Sequence, residues 1–77
     1  MSDFVRMCGG GPDGSRPDGS GPMEACGEVA TWRMPYRSVF PQMGCCDRHA
    51  RNWNGGREPR VDPSDYYGEH SWRQVAS

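Results

Sequence analysis

Apolar and polar side chains alternate most regularly between residues 29 and 40. The apolar positions there are Ala30, Trp32, Met34 and Tyr36, with Thr31, Arg33, Pro35 and Arg37 between them. A period of two predicts a half-buried strand that turns one face to a core. Because proline cannot donate to a sheet ladder, we expect a turn through residues 35–37 and a short return strand over residues 38–43.

A short helix is predicted over residues 45–53. Asp47 lies early in this segment and Arg51 lies late, an order that suits the helix dipole. Asn54, Gly55 and Gly56 follow as a stop signal. A hairpin followed by a short helix predicts a small α+β fold.

The other segments are irregular. Residues 1–8 are expected to form a short strand or an anchoring arm. Residues 9–22 contain Pro-Asp-Gly-Ser twice, a turn sequence that predicts a loop, which we interpret as a tolerated surface insertion. Residues 57–77 carry two prolines and three aromatic side chains and predict an extended tail. We therefore expect a domain over residues 1–56 and a tail that packs on it or on a partner.

The composition lacks the side chains that usually fill a core. Of 77 residues 34% are hydrophobic, none is leucine or isoleucine, 11 are glycine and 7 are proline. Ordering a residue costs about 1.5 kcal/mol of conformational entropy, so a core of this size needs an additional staple, that is, a bound metal ion or disulfides that hold the chain together. Four cysteines and two histidines are available for it.

Two of these side chains are spaced to share one metal ion. Cys46 and His49 lie at positions i and i+3 of the predicted helix, on one face. Cys26, before the hairpin, and Cys8, beyond the loop, complete a tetrahedral set, and thiolates with an imidazole favour Zn²⁺ over magnesium or calcium. A structural zinc contributes about 10–16 kcal/mol of apparent binding free energy, which is comparable to what the small core lacks.

Other uses of these side chains stay open. Cys45 is an alternative ligand to Cys46, and His70 is an alternative to Cys8. The four cysteines also allow three pairings as two disulfides, and they could remain free or redox-active thiols.

Two stretches, Cys26-Gly27-Glu28-Val29-Ala30-Thr31-Trp32-Arg33-Met34 and Cys46-Asp47-Arg48-His49-Ala50, resemble the small zinc-ribbon or treble-clef-like proteins of actinobacteria and their phages. The resemblance covers residues 26–50, about a third of the chain. It implies a β-hairpin and a short helix around one zinc, with ligand roles for Cys26, Cys46 and His49. The distant Cys8 departs from the usual close spacing of the first ligand pair. Arginine in place of every lysine is consistent with a GC-rich genome of this kind.

Charge and size limit the classes of function that the protein can have. The formal net charge is −1, with nine arginines and ten acidic residues, which disfavours nucleic acid as the partner. We expect a non-enzymatic accessory or regulatory protein that binds a protein partner, with a host-targeting or virion role if it is phage-encoded. The candidate contact residues are Trp53, Tyr66, Tyr67 and Trp72.

Two alternative functions are weighed against this one. A zinc-dependent nucleic-acid-binding protein would use the arginines around the helix end, with Trp53 available to stack on a base. A thiol or redox protein would use Cys45 and Cys46, activated by the helix N-terminus and the neighbouring Arg48 and His49. A catalytic zinc is less favoured, since four protein ligands leave no position for water.

The sequence also predicts where the protein resides. Residues 1–11 lack the apolar run of a signal peptide, and nowhere do 18 apolar residues occur together. We expect a cytoplasmic protein that does not contact membranes, located in the host cytoplasm if it is phage-encoded. In the reducing cytoplasm, cysteines are more often metal ligands than disulfides.

Overall fold

The computed structural model describes residues 6–75. Most of the arm expected over residues 1–8 lies outside this range, and within it Met7 forms an isolated antiparallel bridge with Val29. This bridge leads directly into Cys8, whose amide donates to the Glu28 carbonyl at 2.8 Å. The N-terminal segment is thereby paired with the chain that follows Cys26.

A two-stranded antiparallel sheet frames the long loop. Its strands are β1, Gly11–Pro12, and β2, Met23–Glu24, with Gly11 opposite Glu24. The amide of Asp13 donates to the Pro22 carbonyl at 3.0 Å and extends the pairing by one rung. Both repeats then form the expected turns, because the Asp13 and Asp18 carboxylates accept from the amides two residues later, each at 2.9 Å.

A three-stranded antiparallel sheet has β3, Trp32–Arg33, at its centre. On one side lies β4, Gly44–Cys45, and on the other β5, Arg73–Gln74. The expected hairpin is present, but the return strand predicted over residues 38–43 is wrong: residues 36–42 form turns and bends. The reason is Pro35, which has no amide to donate. The hairpin pairing therefore ends one residue earlier, where the Met34 amide donates to the Met43 carbonyl at 3.0 Å.

The helix predicted from the sequence, α1, spans Asp47–Trp53. Its N-cap is Cys46, whose sulfur accepts from the His49 amide. Trp32 of β3 donates its indole N–H to the Asp47 carboxylate at 3.0 Å, which fixes the helix start against the sheet. The helix ends where predicted, at Asn54, followed by glycines at positive φ.

The core lies between the helix and the three-stranded sheet. The alternating face predicted over residues 29–40 is buried in part: Ala30 and Met34 are each 4% exposed, whereas Tyr36, beyond the end of β3, is 51% exposed. The buried cluster is small and rich in sulfur, as the composition requires; it consists of Cys8, Met34, Met43, Cys45, Ala50 and Trp72.

The segment predicted as a tail contributes to this fold. Trp72 is 5% exposed, and β5 pairs with β3 along the edge of the sheet. The loop before it is held by Asp65, whose carboxylate accepts from the amides of Glu69, His70 and Ser71. Within residues 6–75, no helix has the length and apolar content needed to span a lipid bilayer.

Candidate metal centre

Three elements of the fold bring the four predicted ligands together. Cys8 follows the bridge at Met7, Cys26 follows β2, Cys46 caps α1 and His49 lies in its first turn. Their ligand atoms all lie within 4.8 Å of one another, and none of the cysteines forms a disulfide. No other group of three or more metal-ligating side chains in residues 6–75 meets this criterion.

The spacing of these atoms suits a tetrahedral ion. His49 Nδ1 lies 3.4 Å from Cys8 Sγ and 3.3 Å from Cys46 Sγ, and the sulfurs of Cys26 and Cys46 are 3.9 Å apart. With the usual zinc bond lengths, a tetrahedron requires about 3.6 Å between nitrogen and sulfur and about 3.8 Å between two sulfurs. The donor set therefore has the dimensions of a tetrahedral metal site.

Backbone amides support two of the sulfurs. The Gly10 amide donates to Cys8 Sγ at 3.4 Å, and the His49 amide donates to Cys46 Sγ at 3.5 Å. These N–H groups stabilise negative charge on the thiolates that a metal ion would require. Burial acts in the opposite direction and raises the pKa of the Cys8 thiol to about 11. A cation is the partner that would favour the thiolate there.

A carboxylate orients the imidazole. His49 is fully buried, and its Nε2 lies 2.8 Å from Glu24 Oε1. This contact places the ring proton on Nε2 and leaves Nδ1 free to bind an ion, as in the carboxylate–histidine–metal arrangement. The same Glu24 oxygen lies 2.5 Å from the guanidinium of Arg48, so it contacts the imidazole and a cation together.

Glu24 is the site residue that sequence reasoning missed. It lies two residues before Cys26, and in an extended chain this spacing places both side chains on the same side. That spacing was the only available signal, because the contact with His49 spans 25 residues.

The alternative ligands lie outside the cluster. Cys45 is fully buried in the core, its Sγ 3.9 Å from the Met43 carbonyl, and burial raises its pKa to about 12. Since Cys45 is in β4 and Cys46 caps the helix, the neighbouring thiols face different surroundings. The His70 side chain is 74% exposed and approaches Glu69 at 4.0 Å.

The predicted contact residues divide into two pairs. Tyr66 and Tyr67 are 81% and 71% exposed, and their rings pack edge to face at 5.0 Å. Trp72 is buried in the core, and Trp53 is half-buried, donating its indole N–H to the Gly10 carbonyl at 3.1 Å. The expectation that the tryptophans contact a partner is corrected for Trp72, because its ring fills the small core.

The fold and the cluster define a small α+β protein with a Cys₃His group that could hold one metal ion. In comparisons of sequence and fold, the chain matches no protein-family model, no curated protein and no solved structure. The resemblance to actinobacterial and phage zinc-ribbon or treble-clef-like proteins therefore stays a prediction.

Proposed function

We propose that the chain is a zinc-stapled, non-enzymatic accessory protein that binds a protein partner. The observation that carries this proposal is the convergence of three cysteines and one histidine, from three separate elements, on one tetrahedral space. Three thiolates with one imidazole favour zinc among the common divalent ions. The ion would supply the stability that a core without leucine or isoleucine lacks.

The closed donor set supports a structural role for the metal. Four protein ligands fill a tetrahedral ion and leave no position for a reacting water. The charged partner of His49, Glu24, is engaged by the imidazole and by Arg48, so it is not free to act as a base.

The surface supports a protein as the partner. Tyr36, Tyr66 and Tyr67 are all more than half exposed. Tyrosine combines a large apolar ring with a hydroxyl, and it is enriched at the energetic centres of protein interfaces.

The ion pairs of two arginines near the helix favour a protein partner over nucleic acid. Arg48 is paired with Glu24, and Arg51 with both Asp47 and Glu58. These carboxylates would repel phosphates at the surface where the arginines would have to bind them. The ring of Trp53, the candidate for stacking on a base, packs instead edge to face with Phe40 at 5.7 Å.

The burial of Cys45 argues against thiol chemistry at the Cys45–Cys46 pair. A reactive cysteine needs a lowered pKa and access to its substrate. Cys45 has no exposed surface and a raised pKa, and the Cys46 sulfur points into the metal cluster.

The partner is tested with zinc-loaded protein as bait in a lysate of the source organism. A captured protein is then purified and titrated against the wild type, Tyr66→Ser/Tyr67→Ser and Val39→Ser. Val39 is 75% exposed and serves as the matched apolar control. We expect saturable binding that the tyrosine variant weakens at least about tenfold and the control retains. Equal binding by both variants, or capture of nucleic acid that is lost as salt rises, would contradict the proposal.

A further inference from the structure

Two arginines face each other across the three-stranded sheet. Arg33 of β3 is the register partner of Arg73 of β5, so both side chains project from the same face. Like charges in this arrangement destabilise a sheet unless something neutralises them. Within residues 6–75, no carboxylate lies within 4.0 Å of either guanidinium, whereas Arg37, Arg48 and Arg51 each have an acidic partner.

The donors of Arg33 are largely unused. Its Nε is buried and has no hydrogen-bond partner among the described residues. Its terminal nitrogen reaches only Gln42 Oε1, at 3.5 Å. A buried donor without an acceptor costs free energy, and a charged one costs more, so this side chain is incomplete as it stands.

The guanidinium of Arg73 is held in place by neutral groups. It donates to the carbonyls of Asp65 and Tyr66, the latter at 2.7 Å. Gly68 packs directly against it: a Cβ at this glycine, whose φ is +69°, would lie 2.8 Å from the Arg73 Nε. Carbonyl acceptors orient the group but leave its charge uncompensated.

Both arginines line one pocket of about 260 Å³, whose other lining residues include Tyr36, Gln42, Tyr67 and Gln74. This is slightly below the usual size of a site for a drug-sized molecule. Gln42 is the one residue other than glycine with positive φ in residues 6–75, at 62°, and such strain is found where a side chain is held for a ligand.

We propose that this pocket binds a phosphate monoester group, with Arg33 and Arg73 as its two cationic contacts. A phosphate monoester carries about −1.5 to −2 charges at neutral pH, which matches two uncompensated guanidinium groups better than a carboxylate does. Its three terminal oxygens can accept hydrogen bonds from the guanidinium N–H groups and from the side-chain amide of Gln42. The exposed rings of Tyr36 and Tyr67 at the rim favour a phosphate attached to a flat, apolar group.

A larger cavity of about 660 Å³ carries no comparable charge preference. Its lining mixes Arg57 and Arg60 with Glu58 and Asp62. The smaller pocket has two cations and no acidic side chain in its lining.

The test is a titration of the metal-loaded full chain with phenyl phosphate, inorganic phosphate and acetate at constant ionic strength, followed by two-dimensional NMR. We expect saturable shifts at the amides of Arg33, Tyr36 and Arg73, with phenyl phosphate binding tighter than phosphate and acetate weakest. Arg33→Gln is expected to weaken phenyl phosphate binding at least about tenfold. Arg33→Lys keeps the charge but loses the planar pair of guanidinium donors. Its affinity for phenyl phosphate is expected to lie between those of the wild type and Arg33→Gln.

The matched control is Arg16→Gln, which removes the same charge from an exposed position in the loop between β1 and β2. Equal loss of binding in Arg16→Gln and Arg33→Gln would overturn the proposal, as would acetate binding as tightly as phosphate or the absence of saturable shifts. The pocket does not include the metal ligands, so this result is independent of the zinc proposal, whereas Tyr36 and Tyr67 belong both to the pocket and to the proposed partner surface.

Discussion

At the scale of single residues, the metal cluster depends on how one imidazole is held. His49 presents Nδ1 to the sulfurs because Nε2 is engaged by Glu24, and Glu24 is in turn held by Arg48. A histidine without such a partner could turn its ring or place its proton on the wrong nitrogen. Glu24 is therefore expected to contribute to zinc affinity without touching the ion.

Replacing Glu24 by alanine tests this role. We expect Glu24→Ala to weaken zinc binding by about 10- to 100-fold, the usual cost of losing such a partner. Competition with a chromophoric chelator at fixed pH measures the change. The control is Glu28→Ala, which removes the same charge from an exposed side chain. If both variants bind zinc as tightly as the wild type, Glu24 has no such role.

At the scale of elements, the loop between β1 and β2 packs on the end of α1. Asn52 donates its side-chain amide to the Pro12 carbonyl at 2.8 Å. Gly19 lies so close that a Cβ on it would be 2.5 Å from the Asn52 carbonyl oxygen. The loop that the sequence suggests is a tolerated insertion therefore has at least one position that the fold constrains.

Gly19→Ala measures that constraint. The φ of +84° and the close carbonyl both disfavour a side chain, so we expect a loss of at least about 1–2 kcal/mol in the free energy of unfolding. Gly27→Ala is the control, because its Cβ meets nothing within 4 Å and its φ is not in the left-handed region. Denaturant titration of both variants should show stability lowered only in the first. Equal stability would show that the loop is not packed as described.

The loop before β5 depends on Asp65. Hydrogen bonds from the backbone, that of His70 foremost, lower the pKa of this carboxyl below its ordinary 3.8. A lowered folded pKa means that its contribution to stability is present above the ordinary value and is lost as pH falls through the lowered one.

We therefore expect Asp65→Ala to lower the Tm by a few degrees at neutral pH, with the difference from wild type shrinking in acid below the ordinary pKa. Asp62→Ala is the comparison, since Asp62 accepts only from Ser64 and its loss should cost less. Thermal melts over a range of pH give the Tm difference between each variant and the wild type. A difference that stays constant into strong acid would mean that the Asp65 charge is not involved.

At the scale of the whole molecule, the parts that sequence reasoning predicts are those with local signals. The helix, its glycine stop and the Cys46–His49 spacing are set within about ten residues, and the structure has all three, although the helix begins at Asp47 rather than at the predicted residue 45. Cys8 joins the site because the preceding residue, Met7, bridges to Val29. In the sequence, only the need for a fourth ligand pointed to Cys8. The pairing of β5 with β3 joins segments some 40 residues apart, and no short-range pattern encodes it.

Removing the metal is expected to unfold the protein. The buried core includes two cysteines, two methionines, one alanine and one tryptophan, too little apolar surface to hold the chain without the ion. Excess chelator should expose Trp72, shift the tryptophan emission to longer wavelength and make all four thiols reactive. Adding zinc back should restore both signals. A chelated protein that keeps its native emission and a protected Cys45 would show that the core is sufficient.

The most direct test of the account is native mass spectrometry of the protein expressed without added metal, with the denaturing mass beside it. One zinc per chain is expected in the wild type and in Cys45→Ser and His70→Ala, whose side chains lie outside the cluster. Cys8→Ser, Cys26→Ser, Cys46→Ser and His49→Ala are each expected to lose it. A metal-free wild type whose denaturing mass shows two disulfides, or zinc retained by the ligand variants and lost from the controls, would contradict the zinc-stapled fold.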